Sequence, residues 1–193
     1  NFPAAIPAWK IAPALAYGNA VVLKPADLVP GTAHLLAQII HDAGCPAGLF
    51  NLVMGPGSVV GNAMIEHPEI AGISFTGSVQ TGRSIARSAL TDMKKIQLEM
   101  GGKNPMVVLN DADLDLAVAA CLNGAFFSTG QRCTASSRLI VEDGIHDAFV
   151  KKLAAQMVAL RVGPALDATS QIGPVASAQQ LKSNLAYVDL ARA

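Results

Sequence analysis

Short runs of β-branched and aliphatic residues alternate along this chain with longer stretches whose apolar positions recur every three or four residues. Continuous apolar runs suit strands covered on both faces, and the periodic stretches suit the helices that cover them. Ala20-Val21-Val22-Leu23 reads as a strand ending at Lys24-Pro25, followed by a helix with apolar positions Leu36, Ile39, Ile40 and Ala43. Thr32 is the expected cap of that helix, and Gly44 with Pro46 stops it. The next strand runs from Phe50 to Met54 and turns at Gly55-Pro56-Gly57, with a short helix toward His67-Pro68. A third strand, Ile70 to Phe75, leads through Thr76-Gly77-Ser78 into a helix ending at Leu90. A fourth, Lys95 to Glu99, reaches Gly101-Gly102, a natural hinge.

The pattern then restarts with a strand from Pro105 to Leu109 and a helix from Asp113 to Phe127. Beyond Cys133 come a strand from Arg138 to Val141, a helix from Asp147 to Leu160 and a final helical stretch. Strands alternating with helices predict an α/β fold with a mostly parallel sheet and helices on both faces. A domain boundary is placed near Met100-Gly101.

Composition narrows the picture. Hydrophobic residues make up 51% of the chain and charged ones only 15%, which predicts a well-buried core and surface covered by other parts of a larger assembly. Fourteen basic residues balance fourteen acidic ones, so charge gives no reason to expect nucleic acid or an anionic membrane as a partner. No apolar run reaches the roughly 18 residues of a membrane span. The start, Asn1-Phe2-Pro3-Ala4, lacks an initiator Met and a leader pattern, and the end falls inside a helical pattern, so the chain reads as the middle of a longer protein. Cys45, Cys121 and Cys133 form neither a CxxC pair nor a metal-ligand spacing. No metal site is expected; an odd count favours a reducing compartment and leaves room for one functional thiol.

The unusual residues gather at the C-terminal ends of strands: Lys24, Gly55-Pro56-Gly57 and Thr76-Gly77-Ser78. Open α/β sheets bind ligands at that edge, and a helix starting at Ser78 would offer free N–H groups to a phosphate. Ordinary strand–helix turns also carry glycine, and Gly55-x-Gly57-x-x-x-Gly61 is not a dinucleotide fingerprint, so both readings stand. Cys45 and Cys121 suit packing roles. Cys133 sits in a polar, glycine-containing loop beside Arg132, where a thiol can act as a nucleophile. Glu99 lies at a strand end, where a buried carboxylate is costly unless paired or catalytic; an ion pair with Lys94, Lys95 or Lys103 is the structural alternative.

Asn1-Phe2-Pro3, Leu23-Lys24-Pro25-Ala26-Asp27, Phe75-Thr76-Gly77-Ser78, Glu99-Met100-Gly101-Gly102-Lys103 and Gly130-Gln131-Arg132-Cys133 occur in order along the chain. Together they resemble the aldehyde dehydrogenase superfamily over essentially its whole length. The resemblance implies a Rossmann-like parallel sheet of an NAD(P)-binding domain over residues 1–100. Part of a second, catalytic α/β domain follows over residues 101–193, both truncated.

By that likeness Cys133 is the thiolate that attacks the aldehyde. Asn1 is the amide that holds the oxyanion with the Cys133 N–H, and Glu99 is the base that activates water. Lys24, Asp27, Gly57, Gly61, Gly77 and Ser78 contact the cofactor. Phe2, Trp9, Phe127, Arg132 and Thr134 line the substrate tunnel. Met100 stands where many members carry Leu, a volume-conserving exchange. Asp27 stands where a longer Glu is common, which implies NAD in preference to NADP.

The implied reaction oxidises an aldehyde to an acid through a thiohemiacetal and a thioester. The Gly-Gln-Arg-Cys-Thr-Ala and Lys103-Asn104-Pro105-Met106 stretches look most like members acting on 2-oxoglutarate or succinate semialdehyde. The alternatives are a CoA-acylating relative, against which Glu99 speaks, and a non-catalytic structural relative. The family further implies a cytoplasmic homodimer or homotetramer with a small-molecule partner, and this stretch alone would be inactive.

Overall fold

Six strands pair two by two, and every pair is parallel. The computed structural model describes residues 1–193 and divides into two units, Asn1–Met100 and Gly101–Ala193. The pattern of parallel strands joined by helices is the expected α/β class.

Unit 1 opens with helix α1, Ala5–Ala16, which the sequence reading did not foresee. Three prolines obscure it. Pro7 lies in the first turn, where its missing N–H has no intrahelical partner to lose, while Pro13 removes one rung and the helix continues through it. Strand β1, Val21–Leu23, is followed by α2, Pro30–Asp42. Thr32 is therefore inside the helix and not its cap: Pro30, with φ already set for helix, starts it without a side-chain cap at Val29. Strand β2, Phe50–Leu52, pairs with β1 so that Val21 faces Phe50 and Leu23 faces Leu52. Gly57–Gly61 form one π-helical turn that runs into α3, Asn62–Glu66.

Strand β3, Gly72–Gly77, and strand β4, Lys95–Met100, pair without a slip from Gly72↔Lys95 to Gly77↔Met100. Between them α4, Val79–Thr91, is capped by Ser78, whose Oγ accepts from the Thr81 N–H at 3.2 Å. Lys94, just before β4, turns inward. Its ammonium is buried and donates to the carbonyls of Ile65 and His67, each at 2.6 Å, with Asp92 at 3.8 Å. These carbonyls lie at the open C-terminal end of α3, so Lys94 serves that end as a cap drawn from another part of the chain.

Unit 2 contains β5, Asn104–Val108; α5, Leu114–Ala125; β6, Ser136–Val141; α6, Asp143–Val158; and α7, Ala178–Arg192. Asp113 caps α5 by accepting from the Leu116 N–H at 2.9 Å. Helix α6 begins four residues before Asp147 because its apolar stripe, Ile145, Phe149 and Leu153, begins there. The β5–β6 register shifts between Asn104 and Pro105, a bulge that lets a proline sit in the strand. The core of this unit joins Val108, Val118, Cys121 and Leu122 to Phe149 and Leu153. No helix is long and apolar enough to cross a membrane.

Phe149 is 1% exposed and central to that cluster. Phe149→Ala in the full-length protein is expected to cost about 3–5 kcal/mol through lost burial and an unfilled cavity. Urea denaturation reads the loss directly; a cost of less than about 1 kcal/mol would mean the site collapses around the smaller side chain.

Candidate active site

Side chains two apart on a strand share a face. On β4 this places Gln97 beside Glu99, and the Gln97 amide donates to Glu99 Oε1 at 2.7 Å. The β3–β4 register sets Ser74 opposite Gln97, and Ser74 Oγ bonds Gln97 Oε1. Lys10 reaches the same group from α1, donating to Ser74 Oγ at 2.6 Å and Gln97 Oε1 at 3.2 Å. An amine, a hydroxyl, an amide and a carboxylate thus form one hydrogen-bonded cluster on unit 1. Burial pulls the Lys10 ammonium below its ordinary value, and the negative charge of Glu99 partly opposes that. Glu99 itself is exposed, contrary to the buried setting its strand position suggested, and its partner is the neutral Gln97. Lys94, one of the cations considered for it, is committed to backbone carbonyls instead. Lys10 was missed, although it is the only charged residue before Lys24 and stands alone in an apolar stretch. Asn1 and Phe2 precede α1, Phe2 with a left-handed φ of 49°, and Trp9 projects from it with 69% exposure.

A second cluster forms at the end of β1. Lys24 Nζ donates to Asp27 Oδ1 at 2.6 Å, to the Gly55 carbonyl at 3.1 Å and to the Pro25 carbonyl. The Lys24 hydrogen bond holds the Asp27 carboxyl below the usual carboxylate range, and the Gly57 N–H adds to that. Pro25, Ala26, Asp27, Pro30, Met54 and Gly55 line an open groove here, mostly apolar with a charged pair at one side. Gly57 and Gly61 begin and end the π-helical turn beside it. Gly77 closes β3 and Ser78 caps α4, so one of the N–H groups at that helix start is already satisfied by Ser78 itself.

On unit 2 the loop before β6 carries the exposed thiol of Cys133. Ser128, Thr129 and Gly130 are all left-handed, with φ of 54°, 56° and 67°. The glycine is required, since a Cβ there would lie 2.9 Å from the Ala125 carbonyl oxygen. Thr129 Oγ1 lies 2.6 Å from the Ser128 carbonyl and 2.7 Å from Gln131 Oε1, with one proton to donate between these two acceptors, and the Ala176 N–H donates to the same Gln131 oxygen at 3.0 Å. Arg132 Nε donates to Ser128 Oγ at 3.2 Å, and its terminal nitrogen to Asn123 Oδ1 at 2.9 Å. Thr134 is exposed, whereas Phe127 packs against the apolar cluster. Cys121 is buried, and burial pushes its thiol pKa up, away from the reactive form; Cys45 is half-buried beside its own loop.

Residues 1–193 match the aldehyde dehydrogenase family along their whole length. The chain belongs to the aldehyde dehydrogenase family. It is 49% identical over 189 residues to the α-ketoglutaric semialdehyde dehydrogenase of Bacillus subtilis (strain 168), covering 98% of this chain and 39% of that protein. It is 45% identical over 193 residues to a betaine aldehyde dehydrogenase of Cereibacter sphaeroides (strain ATCC 17029 / ATH 2.4.9), covering 100% and 40%. The crystal structure of Staphylococcus aureus betaine aldehyde dehydrogenase in complex with NAD+ superposes with a TM-score of 0.97 at 40% identity, covering 100% of this chain and 38% of that one. An NADP-dependent enzyme of E. coli superposes with a TM-score of 0.92 at 42% identity, covering 94% and 38%. This aldehyde dehydrogenase chain spans about two fifths of the length of the curated relatives it matches.

The lowered pKa of Lys10 carries a pH prediction. The folded state gives up this proton before the unfolded state does, so stability rises with pH between the lowered value and the ordinary lysine value of 10.5. That contribution is complete above 10.5 and is lost as pH falls through the folded value. The full-length protein is therefore expected to gain stability relative to its Lys10→Met variant as pH rises through this window. Urea denaturation at several pH values checks it; a difference that stays flat would mean that the amine is not desolvated.

Proposed function

We propose that the whole protein oxidises an aldehyde to a carboxylic acid with NAD(P), through a covalent intermediate on Cys133. The observation that carries this reading is the exposed Cys133 thiol after a left-handed, hydrogen-bonded loop, while Cys121 is buried and Cys45 half-buried. In this reading the Cys133 thiolate adds to the carbonyl carbon, and the Asn1 amide and the Cys133 N–H hold the oxygen as its charge develops. Bound NAD(P) supplies the acceptor for the hydride that leaves that carbon. Glu99, oriented by Gln97, then takes a proton from water. The resulting hydroxide attacks the thioester, the C–S bond breaks, and the acid leaves with the thiolate restored. A carboxylate in this position favours hydrolysis over transfer of the acyl group to CoA.

The residues fit the cofactor. Lys24 and Asp27 offer a cation and a carboxylate to ribose hydroxyls, the groove between Pro25 and Met54 offers an apolar wall to a flat base, and α4 presents its N-terminus. Solved relatives of both cofactor types share this fold. For the substrate we propose a semialdehyde that carries a carboxylate. Arg132 supports this: it precedes Cys133 in the chain, and its guanidinium is held by the neutral oxygens of Ser128 and Asn123, which leave its charge uncompensated. Phe2, Trp9, Phe127 and Thr134 complete the proposed lining. A cytoplasmic homodimer or homotetramer belongs to the same reading.

In the full-length enzyme Cys133→Ala is expected to abolish aldehyde oxidation with NAD binding retained. Glu99→Gln is expected to leave a burst of NADH followed by a steady state slowed about 10²–10⁴-fold. Oxidation by Cys133→Ala at the wild-type rate would overturn the mechanism, and loss of the burst in Glu99→Gln would move Glu99 to the activation of Cys133.

Asp27 is expected to favour NAD, because its carboxylate repels a 2′-phosphate, but only in part, because Lys24 already neutralises some of that charge. Asp27→Ser both removes the repulsion and releases the Lys24 ammonium, so the preference is expected to narrow by roughly tenfold, through a lower KM for NADP. An enzyme that already used NADP better than NAD would sink this assignment.

A further inference from the structure

We propose that Asn104 is a positioning residue for the nucleophile, holding the backbone of Cys133 in place by its side-chain amide. This rests on the reading of Cys133 as the nucleophile and adds a residue that no part of that reading uses. Asn104 Nδ2 donates to the Cys133 carbonyl at 2.8 Å and to the Ala135 carbonyl at 3.2 Å.

The need for such a donor follows from the local backbone. The Ala135 N–H donates to the Arg132 carbonyl at 3.1 Å, so residues 132–135 form a hydrogen-bonded turn with Cys133 and Thr134 at its centre. That bond occupies the two ends of the turn and leaves the central peptide, whose oxygen is the Cys133 carbonyl, outside it. The two common turn types differ chiefly in the orientation of this central peptide, which makes it the loosest part of any such turn. Asn104 supplies it with a partner from another strand. The same amide binds the Ala135 carbonyl, so both sides of Thr134 are tied to one fixed point.

That point is itself well anchored. Asn104 opens β5 and pairs with Ser136, and the extra residue of the register shift that follows, Ser137, lies on the partner strand, so Asn104 keeps a regular ladder position. Upstream, the left-handed run Ser128–Gly130 stores backbone strain and is held by Gln131 through Thr129 and Ala176. The thiol therefore hangs between two amide clamps, Gln131 before it and Asn104 after it. With the second removed, the turn can rock, the thiol and the Cys133 N–H move together, and the attack geometry degrades while the cofactor groove on β1 and β2 is untouched.

The test uses full-length enzyme carrying Asn104→Ala, Asn104→Asp or Asn104→Ser. Asp keeps the shape but turns an acceptor toward two carbonyl oxygens, and Ser returns a shorter donor. Ala and Asp are expected to lower the NADH burst rate constant by about 10²-fold, with KM for the aldehyde and affinity for NAD unchanged, while alkylation of the exposed Cys133 by iodoacetamide, which depends on thiolate fraction and access, stays near the wild-type rate. Ser is expected to recover part of the burst rate. A wild-type burst rate in Ala and Asp, whether or not the melting temperature falls, would overturn the proposal and leave Asn104 a structural residue. Cys133→Ala run alongside separates the two readings: activity in that variant overturns the nucleophile assignment itself, and this proposal with it.

Discussion

The in-register parallel ladder between β3 and β4 is the constraint on which the chemistry of unit 1 depends. A pairing shifted by one residue would turn Gln97 and Glu99 to the opposite face and separate Ser74 from both. With the register fixed, a single glutamine is bound on one side by a hydroxyl and an amine and on the other by a carboxylate. Gln97 suits that place because an amide has both a donor and an acceptor end. It lets a half-buried cation and an anion share one neighbourhood without collapsing into a direct ion pair, so the carboxylate keeps an oxygen free for other work.

Unit 2 solves a different problem. In the reading proposed above Cys133 is a nucleophile, and the loop before it adopts left-handed geometry at two residues that have a Cβ, each a cost of order 1–3 kcal/mol. Several modest hydrogen bonds, each worth about 1 kcal/mol net, offset that cost. They involve the side chains of Thr129, Gln131, Arg132 and Asn104. Beyond Phe127, which packs against the core, the loop is held by polar contacts, so its residues look like ordinary loop composition in the sequence.

Much of the fold was legible because buried parallel strands and amphipathic helices leave strong periodic signals. Strands β1 to β6 lie close to their expected positions, and Asp113 caps α5 where its helix was expected to begin. What escaped was governed by exceptions to those signals. Helix α1 was hidden by prolines that normally end helices, and with it went Lys10, whose isolation among apolar residues was the available clue. Thr32 had the right chemistry for a cap, but Pro30 started the helix first. The motifs of the proposed site stand out through family likeness, whereas the contacts around them do not. Asn104 lies twenty-nine residues from Cys133, and no local periodicity reports a side chain that bonds across that distance.

Lys94 illustrates how far local structure here depends on distant chain. Helix α3 and the π-helical turn that runs into it cover only residues 57–66, short for a helix alone in water, and the helix ends just before His67-Pro68. The ammonium that satisfies its last carbonyls arrives from residue 94, after β3 and α4 have been traversed. Until that stretch has folded back, the end of α3 has only water as a partner. The end of α3 is thus secured only while Lys94, at the entry to the β3–β4 ladder, stays in place. Amide exchange along it should follow the opening of that ladder and not the fraying of a short helix.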